Sequence, residues 1–312
     1  MARHHNLRSI ALIGAALASV TLLAQTPAYA AAGTQPNPSG ALDRIDQRDR
    51  PLDKSYSWNS TGAGVRVYVL SDGVSTTHTD FGGRASQGAD LVGGTECTVF
   101  GTGVAGLVAG TKYGVAKQAQ IVAIRTFKCN ALPTADRAIA GVNWVTQNAV
   151  KPAVAVLPFA VAADPALDAA VAQSIQSGVT WVVSAGNNGT DFGADACNYS
   201  PARVAGAITA TQLDLTNTGN PKEVLGAGQN RGRCVDVAAP SGTTAVGGGS
   251  DENPWGIHGG HAGVTAGAAA KLLEQYPTAS PATIQQLLNN NATTGRLTPD
   301  SLGTPDRILF SN

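Results

Sequence analysis

Gly256-Ile257-His258-Gly259-Gly260-His261-Ala262-Gly263-Val264-Thr265-Ala266-Gly267-Ala268-Ala269-Ala270-Lys271-Leu272-Leu273 is the stretch that decides the reading of this chain. From Val264 onward it predicts a helix so rich in Gly and Ala that its backbone must lie close against its neighbours. Gly costs about 1 kcal/mol per helical position against Ala and needs a packing reason. Such a helix is central and buried. The Gly and His cluster in front of it stands where an α/β protein places chemistry, because unpaired N–H groups and the positive end of the helix dipole point there.

Working outward, short apolar runs alternate with helical patterns. Strands are expected at 65–70, 121–125, 154–157, 181–185, 208–211 and 235–238, and helices at 135–148, 166–177, 265–276 and 281–290. Ser280 before Pro281 reads as an N-cap followed by a proline at the first helical position. Strands apolar on both faces and separated by helices predict a mainly parallel central sheet flanked by helices, an α/β fold in one domain. Residues 212–233 break the rhythm with Asn, Thr, Gly and Pro and are read as surface loop.

Residues 1–30 read as a signal peptide: Arg3 and Arg8 in a basic start, an apolar run over 10–24, and Ala28-Tyr29-Ala30 as a small-x-small cleavage site. The run is too short to span a bilayer. The chain is therefore expected to be secreted and extracellular, cleaved near Ala30. Residues 31–41, rich in Pro, Asn, Gly and Ser, are expected to be a disordered linker, and 42–312 the folded domain.

The 21 Lys and Arg balance 21 Asp and Glu. With no basic excess, nothing points to nucleic acid or an anionic membrane surface. Four cysteines, Cys97, Cys129, Cys197 and Cys234, in an oxidising compartment predict two disulfides, and three connectivities are open.

Several segments resemble the subtilisin-like serine peptidases of the proteinase K and aqualysin type, in the family's order and over nearly the whole chain after the signal. They are Leu42-Asp43-Arg44-Ile45-Asp46-Gln47-Arg48-Asp49, Val67-Tyr68-Val69-Leu70, Tyr113-Gly114-Val115-Ala116-Lys117, Ala185-Gly186-Asn187-Asn188, Cys197-Asn198-Tyr199-Ser200-Pro201-Ala202-Arg203-Val204 and Ala292-Thr293-Thr294-Gly295-Arg296-Leu297. The resemblance implies a subtilisin-like fold and disulfides Cys97–Cys129 and Cys197–Cys234. It also puts Asn187 at the oxyanion-hole position.

At the family's catalytic positions this chain differs. Ser71 stands where the aspartate is expected, with Asp72 next. Phe100, in Phe100-Gly101-Thr102-Gly103-Val104-Ala105-Gly106, stands where the histidine is expected, and Gly259 where the serine is expected. A triad needs an oxygen nucleophile, an imidazole and a carboxylate, and losing the nucleophile or base of such a triad costs about a millionfold in turnover. The substrate-pairing strand is replaced by Pro158-Phe159-Ala160-Val161, in which Pro158 lacks a backbone donor and Ala160 and Val161 add side chains where a peptide would lie. The resemblance also implies an inhibitory, folding-assisting propeptide where this chain has only residues 31–41; a chain that cannot cleave itself needs no inhibitor.

The expectation drawn from these residues is a secreted, catalytically inactive pseudoprotease, a monomer retained as a binding or decoy scaffold for an unidentified protein or peptide partner. No cofactor is required on this reading, and structural calcium is left open, with Asp191, Asp195 and Asp214 as candidate oxygen ligands. The alternative is a weak or altered secreted serine-type endopeptidase or hydrolase with a relocated site near Ser71, His258 and Asn187. A third reading places zinc between His258 and His261 with Asp72 opposite. Against these stand plain structural roles: Ser71 and Asp72 as strand-end polar residues, the two histidines lining a solvated groove, His78 in a surface turn, and Asn187 bonding its own loop.

Overall fold

In the computed structural model, which describes residues 1, 32–187, 193–216, 222–245, 254–256 and 259–312, thirteen strands and six helices are laid out in chain order. The first half runs β1 (Gly33–Pro36), α1 (Gly40–Ile45), β2 (Ser55–Trp58), β3 (Arg66–Ser71), β4 (Ala85–Asp90), α2 (Val99–Ala109), β5 (Gln120–Arg125), α3 (Ala135–Asn148) and β6 (Ala153–Leu157). It continues β7 (Val161–Ala162), α4 (Pro165–Gln176), β8 (Thr180–Ser184), β9 (Tyr199–Ser200), β10 (Ile208–Leu213), β11 (Val237–Pro240), β12 (Thr243–Ala245), β13 (Pro254–Gly256), α5 (Gly260–Gln275) and α6 (Pro281–Asn291).

Seven strands form one sheet in the order β11-β10-β8-β6-β3-β5-β4, and every pair in it is parallel. Its central strands are buried on both faces, as their unbroken Val and Ala runs require. One face packs against α2 and α5, the other against α3 and α4. The expected strands and helices are all present. Ser280 caps α6 by accepting from Thr283 N–H at 3.2 Å, and both expected disulfides form.

Helix α5 is central and buried, and its composition has the expected cause. A Cβ on Gly267 would sit 2.6 Å from Val115 Cβ and 3.0 Å from Val108 O, and one on Gly263 would sit 2.9 Å from Val104 O. Only glycines allow α2 and the following turn to approach this closely. The helix begins at Gly260, a turn earlier than the periodicity suggested, because small residues carry no period to read.

Three expectations are corrected. Within the segment read as disordered linker, Gly33–Pro36 pairs antiparallel with β2, and Gln35 is held by Lys117 Nζ at 2.7 Å. Helix α2 was not anticipated, since Gly101, Gly103 and Gly106 mask it. The segment 212–233 is not all surface: Glu223 takes both oxygens to Arg44 Nε at 2.9 and 3.0 Å. Asn230, fully buried, donates to Ala185 O and accepts from Ala194 N–H, each at 3.0 Å. A polar segment can be interior when each group finds a partner. Among the described residues no helix is long and apolar enough to cross a membrane. The expected signal segment and its cleavage site fall on residues 2–31, outside the described residues.

Candidate active site

The carboxyl ends of β5, β6 and β8 and the amino ends of α2 and α5 converge on one cavity of about 310 Å3. This is where an open parallel sheet opens a crevice. Its walls are aromatic. Phe127 stacks edge-on to Phe159 at 5.5 Å between centroids and lies 6.0 Å from Phe100. Leu132, Pro133 and Pro158 complete the apolar lining, and its polar residues are Ser184, His261, Asn187 and Gln229.

At the polar end, Ser184 Oγ and His261 Nε2 are 2.9 Å apart. Ser184 ends β8, and His261 is the second residue of α5. Both side chains line the cavity while keeping only 2% and 1% exposure. Ser184 Oγ also accepts from Gly186 N–H at 3.0 Å. Burial lowers the His261 pKa from its ordinary value to about 4, so its imidazole is neutral at neutral pH. Its Nδ1 is buried with no partner among the described residues. A histidine lining a solvated groove was expected; this one is interior. The pair escaped the sequence reading because Ser184 sits in an apolar strand run and no motif spacing joins it to His261.

Ser71 does not join this centre. Its side chain is fully buried, donating to Gly73 O at 3.1 Å and accepting from Gly73 N–H at 3.2 Å. The adjacent Asp72, expected as a strand-end polar residue, is only 7% exposed and accepts from Gly101 N–H at 2.9 Å, capping the amino end of α2. Burial raises its pKa to about 6, against the lowering effect of the Gly101 and Phe100 amides. Because the folded value lies above the unfolded one near 4, Asp72 stabilises the fold fully below about pH 4, and that contribution is lost as pH rises through 6. Asp72→Asn is expected to remove about 2–3 kcal/mol of pH dependence across this window, measured by urea melts at several pH values; an unchanged profile would show that the carboxyl titrates normally.

His78, read as part of a surface turn, is also buried; its Nδ1 accepts from Asp80 N–H at 3.2 Å and caps a short 3-10 turn. Asn187 is exposed and bridges to Gln229, on the cavity rim. Pro158, Phe159 and Ala160 line the cavity, while Val161 pairs with Ser200 in the β7–β9 ribbon. Gly259 is the N-cap of α5 with φ 73°. His258 and Asp191 lie outside the described residues. Asp195 caps a 3-10 turn through Cys197 N–H, and Asp214 accepts from Thr216. Among the described residues no three His, Cys, Asp or Glu side chains gather as a metal set.

The Subtilase family (Peptidase_S8) matches residues 62–306, and the chain belongs to that family. It is 37% identical over 303 residues to alkaline serine exoprotease A of Vibrio alginolyticus, covering 93% of this chain and 53% of that protein. It is 39% identical over 286 residues to an extracellular serine proteinase of Thermus sp. (strain Rt41A), covering 86% and 65%. The chain thus spans between half and two thirds of the length of these relatives. The crystal structure of a cold adapted subtilisin-like serine proteinase superposes with a TM-score of 0.78 at 36% identity, covering 88% of this chain and 99% of that one.

These comparisons overturn the expectation of a catalytically inactive pseudoprotease kept as a binding or decoy scaffold, and with it the leaning away from an enzyme. The proteins that match nearly the whole chain are serine proteases. The physical reason for the misreading is local. Oxygen and imidazole were sought at the inherited positions and, as the alternative, near Ser71, His258 and Asn187, whereas this cleft carries a hydrogen-bonded serine and histidine on β8 and the first turn of α5.

Proposed function

We propose that the chain is a secreted serine-type hydrolase of the peptidase class, with an altered centre in which Ser184 is the nucleophile and His261 its base. The observation that carries this reading is the 2.9 Å contact between Ser184 Oγ and His261 Nε2 in the wall of a substrate-sized cavity. With Gly186 N–H donating to Oγ, the serine proton is left to point at Nε2 of the neutral ring. Oγ attacks the substrate carbonyl carbon as its proton passes to Nε2. The imidazolium then protonates the leaving amine or alcohol as the scissile bond breaks, leaving an acyl ester on Ser184. Water, deprotonated by Nε2, attacks that ester, releases the acid and restores the serine. The Asn187 amide on the rim supplies a donor for the developing oxyanion.

The uncharged lining sets the substrate class. Among the described residues no Lys, Arg, Asp or Glu lines the cavity, so a charged group would lose its hydration without a partner there. A ring or branched aliphatic side chain instead packs against Phe100, Phe127 and Phe159. Secretion is supported by the signal-like start, the two disulfides and the extracellular relative.

The test is active-site labelling. Purified protein treated with a fluorophosphonate should carry the adduct on Ser184 by peptide mass mapping, and should hydrolyse a fluorogenic peptide with an aromatic acyl side chain faster than one with an acidic side chain. Absence of both label and hydrolysis from a protein that melts cooperatively would overturn the assignment.

A further inference from the structure

At the amino ends of β10 and β11, three arginines reach one surface cavity of about 410 Å3, lined by Arg203, Arg233 and Arg307 with Asp236 and Cys234. Each comes from a separately anchored segment. Arg203 N–H donates to Tyr199 O at 3.1 Å, and Ala238 N–H holds Arg307 O at 2.8 Å. Arg233 is fixed beside Cys234 in the disulfide to Cys197. Three cations from three segments at one cavity is a local charge separation in a chain whose net charge is zero.

The charges are answered only in part from within, since Asp236 acts on Arg307 by charge alone and without an ion-pair contact. Arg203 is paired with Asp168. Among the described residues neither Arg233 nor Arg307 has a salt bridge or a guanidinium hydrogen bond. Asp236, the one carboxylate of the lining, is spent elsewhere. It accepts from Thr209 N–H at 2.8 Å, from Asn289 Nδ2 at 2.9 Å and from Gln285 Nε2 at 3.2 and 3.3 Å, tying β10 to α6.

From this arrangement we infer that the Arg203–Arg233–Arg307 cavity is a binding site for a tetrahedral oxyanion, a sulfate or phosphate carried free or as an ester. Guanidinium forks present paired donors that match oxyanion edges. With Arg203 Nε already on Asp168, the forks of Arg233 and Arg307 carry the binding, and a tetrahedral dianion answers two cations where a carboxylate answers one. The site lies apart from the hydrolytic cavity and shares no lining residue with it, so the two assignments stand or fall separately.

The test is calorimetric titration of the purified protein with sodium sulfate, sodium phosphate and glucosamine 6-sulfate, at ionic strength held constant with sodium chloride. Saturable binding in the low millimolar range or tighter is expected. It should weaken about tenfold in Arg233→Gln and in Arg307→Gln and vanish in the double variant, as expected for removal of charge-assisted contacts. The general stabilisation that sulfate gives by exclusion from the surface should persist in all variants, so melting temperature alone is not the readout. Arg233 is exposed, so Arg233→Gln serves even if Arg307→Gln misfolds. Tighter binding of the sulfated sugar than of sulfate identifies the ester as the ligand, and equal binding identifies the ion. No saturable binding of any of the three, or undiminished affinity in Arg233→Gln, overturns the site.

Discussion

Ser184→Ala is expected to lower kcat/KM on an aromatic peptide ester by about a hundredfold or more, to the rate left by binding alone. The size follows from what the pair lacks. In a serine–histidine–aspartate triad, loss of the nucleophile costs about a millionfold, and loss of the orienting carboxylate about ten-thousandfold. His261 Nδ1 has no partner among the described residues, so this centre already works without that carboxylate, and about two powers of ten remain for the serine to contribute.

The same argument fixes the pH profile. A base whose pKa is lowered to about 4 by burial stays deprotonated through the range where an ordinary histidine charges, so kcat/KM should hold level down to about pH 5 and fall near pH 4. The linked stability runs the same way. The folded value is below the unfolded one near 6.5, so this contribution is complete above about pH 6.5 and is lost as pH falls through 4. Ser71→Ala, at a hydroxyl occupied with Gly73, is expected to leave the profile unchanged. Equal rates for wild type and Ser184→Ala would remove Ser184 from the mechanism, and an acid limb near pH 6.5 would remove His261 as its base.

What the sequence made legible and what it hid follow from the kind of signal each carries. The parallel sheet could be read because β6 and β8 are unbroken apolar runs with helical spacing between them, and the disulfide pairing because the family resemblance implies it for the four cysteines. Helix α2 and the first turn of α5 were lost because glycines and alanines have no hydrophobic period. The Ser184–His261 contact joins residues 77 positions apart, and only the fold brings the end of β8 to the start of α5. His78 and Asp72 look like surface residues by type. They are interior because each answers a backbone amide at the start of a helical turn, a role that polarity alone does not reveal.

Gly259→Ser puts an oxygen back at the start of α5, where the resemblance expects the family's nucleophile, and the structure predicts that it fails. Gly259 has φ 73°, and a Cβ there would meet Pro158 O at 2.2 Å and Pro158 Cβ at 3.2 Å. The left-handed backbone alone costs a branched or substituted residue about 1–3 kcal/mol. The nearer clash is with a backbone oxygen, which no rotamer can move aside, so the strand end Leu157–Pro158 or the helix start must shift. The combined loss should be about 3 kcal/mol or more, lowering the melting temperature by about 6–10 °C. No gain in hydrolysis is expected, because Phe100 presents a ring without a proton acceptor on the facing turn of α2, and a displaced α5 start moves His261 away from Ser184. The variant should therefore be slower than wild type, by calorimetry and initial rates measured together. A Gly259→Ser protein of unchanged stability would show that Pro158 yields, and one with raised kcat/KM would place the nucleophile on α5 instead of β8.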